Sequence, residues 1–233
     1  MGEQTNLSML APPSRVLSDH IADQLRQAIV TNRLKPGQRI VEGEIAKAME
    51  TSRGPVRDAL LLLENEGLVV RYPHRGTFVA QLSHEDAEEI YSLRQAIESL
   101  AVAYLVKRAT SEEIDELEEY VDHMEAKVRQ GYTQMEAVEL DLAFHRALCR
   151  LSHHRRVLEA WEALSGQTRL LILAHRTRNP RDFEELAVEW HRRLVDALRQ
   201  RNLERAQEEL RKHLAITVEG LLNSFMEKDE GDE

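Results

Sequence analysis

SRGPVRDALLLLENEGLVV, residues 52–70, runs directly into RYPHRGTFV, residues 71–79, and this stretch decides the fold. Ser52 has the side chain of a helix N-cap, and Arg53 and Arg57, four residues apart, share one face of the helix it opens. Leu60, Leu61 and Leu63 supply an apolar side, and Gly67 stands where a helix ends in the left-handed conformation. Leu68–Val70 and Thr77–Val79 then read as two short β-branched strands around a turn of Pro73, His74, Arg75 and Gly76. A basic helix followed by a basic-tipped hairpin is the outline of a winged helix-turn-helix. It makes double-stranded DNA the first partner to consider.

The residue types suit that partner. The guanidinium fork of arginine makes two hydrogen bonds to guanine in the major groove, and Arg53 and Arg57 lie in the first turns of the helix. Gly54 leaves the backbone open for a close approach, and His74 and Arg75 at the wing tip are placed to reach a minor groove or phosphates. Upstream, Ile21, Leu25 and Ile29 give a first helix over Leu17–Thr31, and Pro36-Gly37 gives a turn. A short second helix follows over Val41–Met49, with Ile45, Ala46 and Met49 inward.

Beyond Gln81 almost every segment has helical period, and none alternates with strand period. The periodicity predicts helices over about 84–108, 111–130, 133–152, 155–177, 181–201 and 203–226, broken at Gly131, Ser152-His153, Asn179-Pro180 and Asn202. The expected fold is mainly α, a winged helix-turn-helix joined to an all-helical antiparallel bundle. Its parts are a flexible arm over 1–14, a DNA-binding domain over 15–81, a helical effector-binding and dimerisation domain over 84–226, and an acidic tail over 227–233.

Net charge hides a partition. The 233 residues carry −10 overall, which by itself argues against nucleic acid. Residues 1–80, however, hold 10 Lys and Arg against 9 Asp and Glu, whereas residues 81–233 hold 21 against 32. A nearly neutral domain still binds phosphate when its arginines share a face, and an acidic remainder stays away from it. One cysteine, Cys149, cannot form an internal disulfide. No secretory signal and no membrane-spanning run are read in the sequence, so the expected setting is the cytoplasm, away from membranes.

The helical half contains a second constellation. Asp141 and His145 are i and i+4 on one helix, and His191 and His213 fall on the apolar stripes Ala187-His191-Leu194-Leu198 and Ala206-Leu210-His213-Thr217. His191 and His213 are equidistant from Asn202, so in an antiparallel helical hairpin both lie ~16 Å from the turn at 1.5 Å per residue. An Asp-His pair from a third helix then completes a three-histidine, one-carboxylate set suited to a divalent transition metal, Zn, Ni, Mn or Fe. His20, His84, His123 and His175 read as polar-face or helix-end residues, and His154 as a weak neighbour of the cavity. Arg94 lies on the inward stripe Ile90-Arg94-Ile97-Ala101-Tyr104, so it needs a partner: an internal carboxylate such as Glu98 or Asp141, or the carboxylate of a ligand. Arg169 is a further pocket residue on the fourth bundle helix.

Two resemblances add to this. Leu34-Lys35-Pro36-Gly37, Glu42, Ile45-Ala46, Ser52-Arg53, Pro55-Val56-Arg57, Ala59-Leu60, Glu66-Gly67-Leu68, Gly76 and Val79 resemble the DNA-binding domain of GntR-type transcriptional regulators. That resemblance, over roughly 15–81, implies operator contacts by Arg53 and Arg57, within the set Ser52, Arg53, Gly54 and Arg57 of the helix and His74, Arg75 and Gly76 of the wing. Gly43 departs from it, because some members carry a base-contacting arginine there. The order DLAFH, EWH, RKH is similar to the FCD ligand-binding domain of the FadR subfamily, over roughly 84–222. It implies that Asp141, His145, His191 and His213 hold a metal and that Arg94 takes a small carboxylate effector. His153-His154 departs from the usual asparagine after a glycine. The function implied is a homodimeric, ligand-responsive regulator, more often a repressor, on a palindromic operator. Two other readings stand beside it: a purely structural metal, and an enzyme with a two-His-one-carboxylate iron site. A di-iron bundle is excluded, because no glutamate has a histidine three residues later.

Overall fold

The computed structural model describes residues 14–215. The expected arm before Ser14, the end of the final helix with Thr217, and the acidic tail lie outside the described residues. The chain forms two compact units that divide between Val79 and Ala80.

The first unit contains α1 (Ser14–Val30), β1 (Arg39–Ile40), α2 (Glu42–Ala48), α3 (Arg53–Asn65), β2 (Val69–Tyr72) and β3 (Gly76–Val79). Its core is Ile21, Leu25 and Ile29 of α1 with Val56, Ala59, Leu60 and Leu63 of α3. Leu61 does not join it. That side chain is 51% exposed, because the buried stripe of α3 follows the period 56, 59, 60, 63 and leaves 61 on the far side. The helix ends as Gly67 requires: at φ 74 its N–H donates to the Glu64 carbonyl while Leu68 N–H reaches back to Leu63, closing a Schellman turn. Ser52 holds the N-cap position in extended conformation, but its hydroxyl makes no cap hydrogen bond.

The sheet order is β1-β3-β2, all antiparallel, with Arg39 opposite Phe78 and Val69 opposite Val79. The hairpin strands are longer at the turn than β-branching suggests, since Tyr72 pairs with Gly76 and leaves only Pro73, His74 and Arg75 in the loop. β1 escapes sequence reading because two residues carry no period. Its partner strand makes it visible.

The second unit is helical among its described residues: α4 (His84–Arg108), α5 (Ser111–Gln130), α6 (Gln134–Leu151), α7 (Arg155–Arg178), a π-helical turn (Phe183–Ala187) leading into α8 (Val188–Arg199), and α9 over 203–215. Three helices start on full capping boxes, Ser83 with Asp86, Thr110 with Glu113 and Thr133 with Glu136. The core runs through Leu105, Leu117, Val121, Met124, Phe144, Leu148, Phe183, Leu194, Leu198 and Leu210. Among the described residues no helix is long and apolar enough to cross a membrane.

The turn between α8 and α9 sets the site. Arg201 takes a left-handed φ of 54, and Asn202 N–H donates to Ala197 O. Asn202 then caps α9, its Oδ1 accepting from Arg205 N–H at 3.0 Å. Arg201 reaches the carbonyl of Leu105 at 2.9 Å, as well as that of Ala109, and so satisfies the end of α4.

Candidate functional site

In the first unit the two helix arginines are exposed, and each meets α2. Arg57 Nε lies 2.8 Å from Glu42 Oε2. The Arg53 guanidinium packs over Gly43, where an added Cβ would come within 3.3 Å of its Nη2. The absence of a side chain at position 43 thus gives Arg53 its resting place on α2. A Cβ at Gly54 would meet nothing closer than 3.9 Å, so no internal packing demands that glycine. At the wing, His74 takes φ 61 at the exposed tip, Arg75 packs on the Tyr72 ring at 5.5 Å, and Gly76 at φ 106 lies against Arg39.

In the second unit α6 supplies Asp141 and His145, α8 supplies His191, and α9 supplies His213. All four are buried, and one potential ligand atom from each lies within 4.8 Å of the others. His145 Nε2 and His213 Nε2 are 2.9 Å apart, His191 Nε2 is 3.6 Å from Asp141 Oδ1, and the rings of His191 and His213 are 4.3 Å apart. The backs of two rings are already engaged. His145 Nδ1 meets Glu98 Oε2 at 2.6 Å, and His191 Nδ1 meets Ala187 O at 2.6 Å. Donation from each Nδ1–H leaves each Nε2 with a lone pair facing the cluster. His191 Nε2 is buried with no hydrogen-bond partner at all.

The electrostatics fit a cation. Burial pushes all three imidazoles toward the neutral, ligating form, His145 and His213 well below the ordinary histidine value. Burial alone would raise the Asp141 carboxyl, but the adjoining His145 and His191 rings and the cationic Arg176 and Arg94 outweigh it and hold that carboxyl at about 2. Three neutral imidazoles and one carboxylate, with an orphaned nitrogen among them, are a donor set that a divalent transition metal satisfies.

Arg94 is buried and paired internally. Its Nε donates to Glu98 Oε1 at 2.7 Å and its Nη2 lies 3.8 Å from Asp141 Oδ2 without a hydrogen bond. The carboxylate partners foreseen for it are therefore both present, and one N–H face remains unspent. Arg169 is not brought to the cluster, because its fork closes on Glu139 of α6 at 2.7 and 3.2 Å. His154 caps α7 and packs edge-on to Tyr104.

Sequence reading foresaw Glu98 only as a partner of Arg94, missed Arg176 and did not foresee the burial of His175. Glu98 bridges Arg94, His145 and Trp161 Nε1 at one buried carboxylate, and its position four residues after Arg94 was the available signal. Arg176 lies 3.4 Å from Asp141 and over the Phe183 ring at 4.9 Å, beside a small cavity lined also by His175, Asp182, Trp190 and His213. His175 lies at a helix end, in the last turn of α7, but it is 4% exposed and bonded to Asp182 at 2.8 Å, so it does not face water as a polar-face residue would. The break at Asn179-Pro180 let the chain fold back over the end of α7, which periodicity does not report.

Residues 17–79 match the family described as bacterial regulatory proteins, gntR family, and residues 89–216 match the FCD domain. The chain belongs to the GntR family. The HTH-type transcriptional regulator YdhC of Bacillus subtilis (strain 168) is 30% identical over 89% of this chain and 92% of its own. A protein described as a probable D-xylose utilization operon transcriptional repressor, from Paenarthrobacter nicotinovorans, is 31% identical over 93% and 95%. The crystal structure of a GntR regulator from Rhodococcus sp. RHA1 aligns with a TM-score of 0.64 and 26% identity over 88% of this chain and 97% of that one. This GntR protein is thus a DNA-binding transcriptional regulator and not an enzyme, which removes the iron-oxygenase reading of its histidines.

Proposed function

We propose that this GntR regulator is a cytoplasmic homodimer that represses from a palindromic operator and is switched by a small carboxylate bound beside a metal. The observation that carries the reading is the buried Asp141-His145-His191-His213 cluster, with the His191 Nε2 lone pair left without a partner. Those four residues would hold the ion. A bound divalent metal supplies a Lewis-acidic position for an organic carboxylate. Arg94, with Nη2 unspent, and Arg176, with Nε unspent, are the groups that would hold the remaining charge.

In the first unit Ser52, Arg53, Gly54 and Arg57 are assigned to the major groove, with His74, Arg75 and Gly76 in the wing. Effector binding needs to supply only ~1–3 kcal/mol of coupling to shift operator occupancy. Similarity to a relative named as a repressor supports the direction of the output. A purely structural metal is the second reading, favoured by the closed Arg94–Glu98 pair.

Elemental analysis with a thermal-shift screen of small organic acids tests both. About one metal per chain is expected, lost on His191→Ala, and acids should stabilise the metal-loaded protein by mass action. Unchanged metal in His191→Ala removes the ligand set. Full metal with no stabilising acid leaves the structural reading, and equal stabilisation of Arg94→Ala removes Arg94 from the effector pocket.

A further inference from the structure

The two oxygens of Asp141 face two different sets of partners. Oδ2 lies 3.8 Å from Arg94 Nη2 and 3.8 Å from His145 Nε2, whereas Oδ1 lies 3.4 Å from Arg176 Nη2 and 3.6 Å from His191 Nε2. Each side of the carboxylate thus carries one guanidinium and one imidazole. Each guanidinium also keeps a buried nitrogen without a hydrogen-bond partner, Nη2 in Arg94 and Nε in Arg176. These two donors come from different helices, α4 and α7, so they do not act as the fork of a single arginine.

The buried charges point the same way. Apart from histidines, the charged side chains buried among the described residues are Arg94, Arg176, Glu98 and Asp141, two cations against two anions. The cluster histidines are neutral as ligands. A divalent ion held by Asp141 and the three histidines therefore leaves a surplus of two positive charges in the interior. An unpaired buried charge is costly, and a monocarboxylate would cancel only one of the two.

Arg176 stands where the second negative charge belongs. A narrow cavity runs from Asp141 and His213 past Arg176 to Asp182, Leu186 and Trp190, and Leu186 is exposed at its outer end. Asp182, also at that end, is already held by His175 at 2.8 Å, and its partial exposure lets water and salt screen its repulsion. Arg176 is buried, so its attraction is screened much less. Its guanidinium already packs over the Phe183 ring at 4.9 Å, which holds it in place before any ligand arrives.

We propose that the effector of this site is a dianion, a small dicarboxylate with one carboxylate at the ion and Arg94 and the other on Arg176. The proposal deepens the carboxylate reading above and rests on it. Arg176 then becomes the residue that separates dicarboxylates from monocarboxylates, while Arg94 serves both.

Calorimetric titration of the metal-loaded full chain tests this. The probes are acetate and the diacids malonate, succinate and glutarate, each beside its monoamide, which keeps the length and one carboxylate but drops one charge. At least one diacid is expected to bind ~10-fold or more tightly than its monoamide, the step that one charge-assisted contact gives. In Arg176→Gln that diacid should fall to the affinity of its monoamide, with metal content and circular dichroism unchanged. The first comparison uses the natural protein alone, so it decides the matter even if the variant does not fold. Diacids that bind no better than their monoamides, or a preference that survives in Arg176→Gln, overturn the dianion assignment and leave a monocarboxylate effector standing. No binding of any of these acids to protein that holds its metal overturns both.

Discussion

Glu98 shows how much chemistry one buried carboxylate can organise. It takes Arg94 Nε at 2.7 Å, His145 Nδ1 at 2.6 Å and Trp161 Nε1 at 3.2 Å, on a side chain with no exposure. Burial raises its carboxyl and Arg94 opposes that shift. Removing it by Glu98→Ala leaves the Arg94 charge short of its partner, and a loss of about 3–5 kcal/mol is expected in chemical denaturation. Glu98→Gln keeps the volume but weakens the hold on His145, so metal affinity in a chelator competition should fall ~10–100-fold with little change in fold. If affinity is unchanged, the orienting role is wrong. Cys149 gives a second expectation at this scale. Burial, with the Glu98 carboxylate nearby, pushes its thiol up, so alkylating reagents should label it only when the chain unfolds. The Asp141-His145-His191-His213 cluster was legible because histidines on apolar stripes are conspicuous. Glu98 and Arg176 were less so, because a charged residue on a helix announces its face and not what it touches.

At the scale of elements, helix ends were the most legible feature, because capping is local chemistry. Thr133 caps α6, the helix that carries Asp141 and His145, accepting from Glu136 N–H while the Glu136 carboxylate accepts from Thr133 N–H at 2.8 Å. The backbone N–H of Thr133, helped by Lys127, holds the Glu136 carboxyl at about 2 instead of 4.5. A carboxyl lowered in the folded state adds stability above its unfolded value and loses it as pH falls toward the folded one. The α6 start is therefore expected to loosen between about pH 4.5 and 2, which an NMR titration of the Glu136 carboxyl can follow; a midpoint near 4.5 would contradict the cap. Thr133→Ala should cost about 1 kcal/mol. What escaped was structure without a period. β1 has two residues, and the π-helical turn Phe183–Ala187 hides inside a helical pattern although it delivers Ala187 O to His191.

For the molecule as a whole, the sequence average of −10 conceals the feature that matters, a nearly neutral reading unit followed by an acidic one. The two arginines assigned to DNA sit at the exposed start of α3, and Arg57 is held by Glu42 at 2.8 Å before any DNA arrives. Operator binding must therefore compensate for that contact or use it to keep the guanidinium in register, and salt dependence separates these roles. The slope of log affinity against log salt is about −0.9 for each phosphate neutralised. If Arg57 neutralises a phosphate, Arg57→Ala should reduce the slope by about 1 and weaken specific and random DNA alike. If it reads a base edge, the slope should hardly change while about 1–3 kcal/mol of discrimination between operator and random duplex disappears. The position of Arg57 in the helix favours the base-edge outcome, and Arg53→Ala should behave in the same way. Glu42→Gln releases Arg57 without touching its charge. When the ion pair sets the register, that variant loses discrimination while random-sequence affinity rises, because a carboxylate facing the phosphates has gone. Full affinity for the operator in the Arg53→Ala, Arg57→Ala double variant would end the assignment of this helix to DNA.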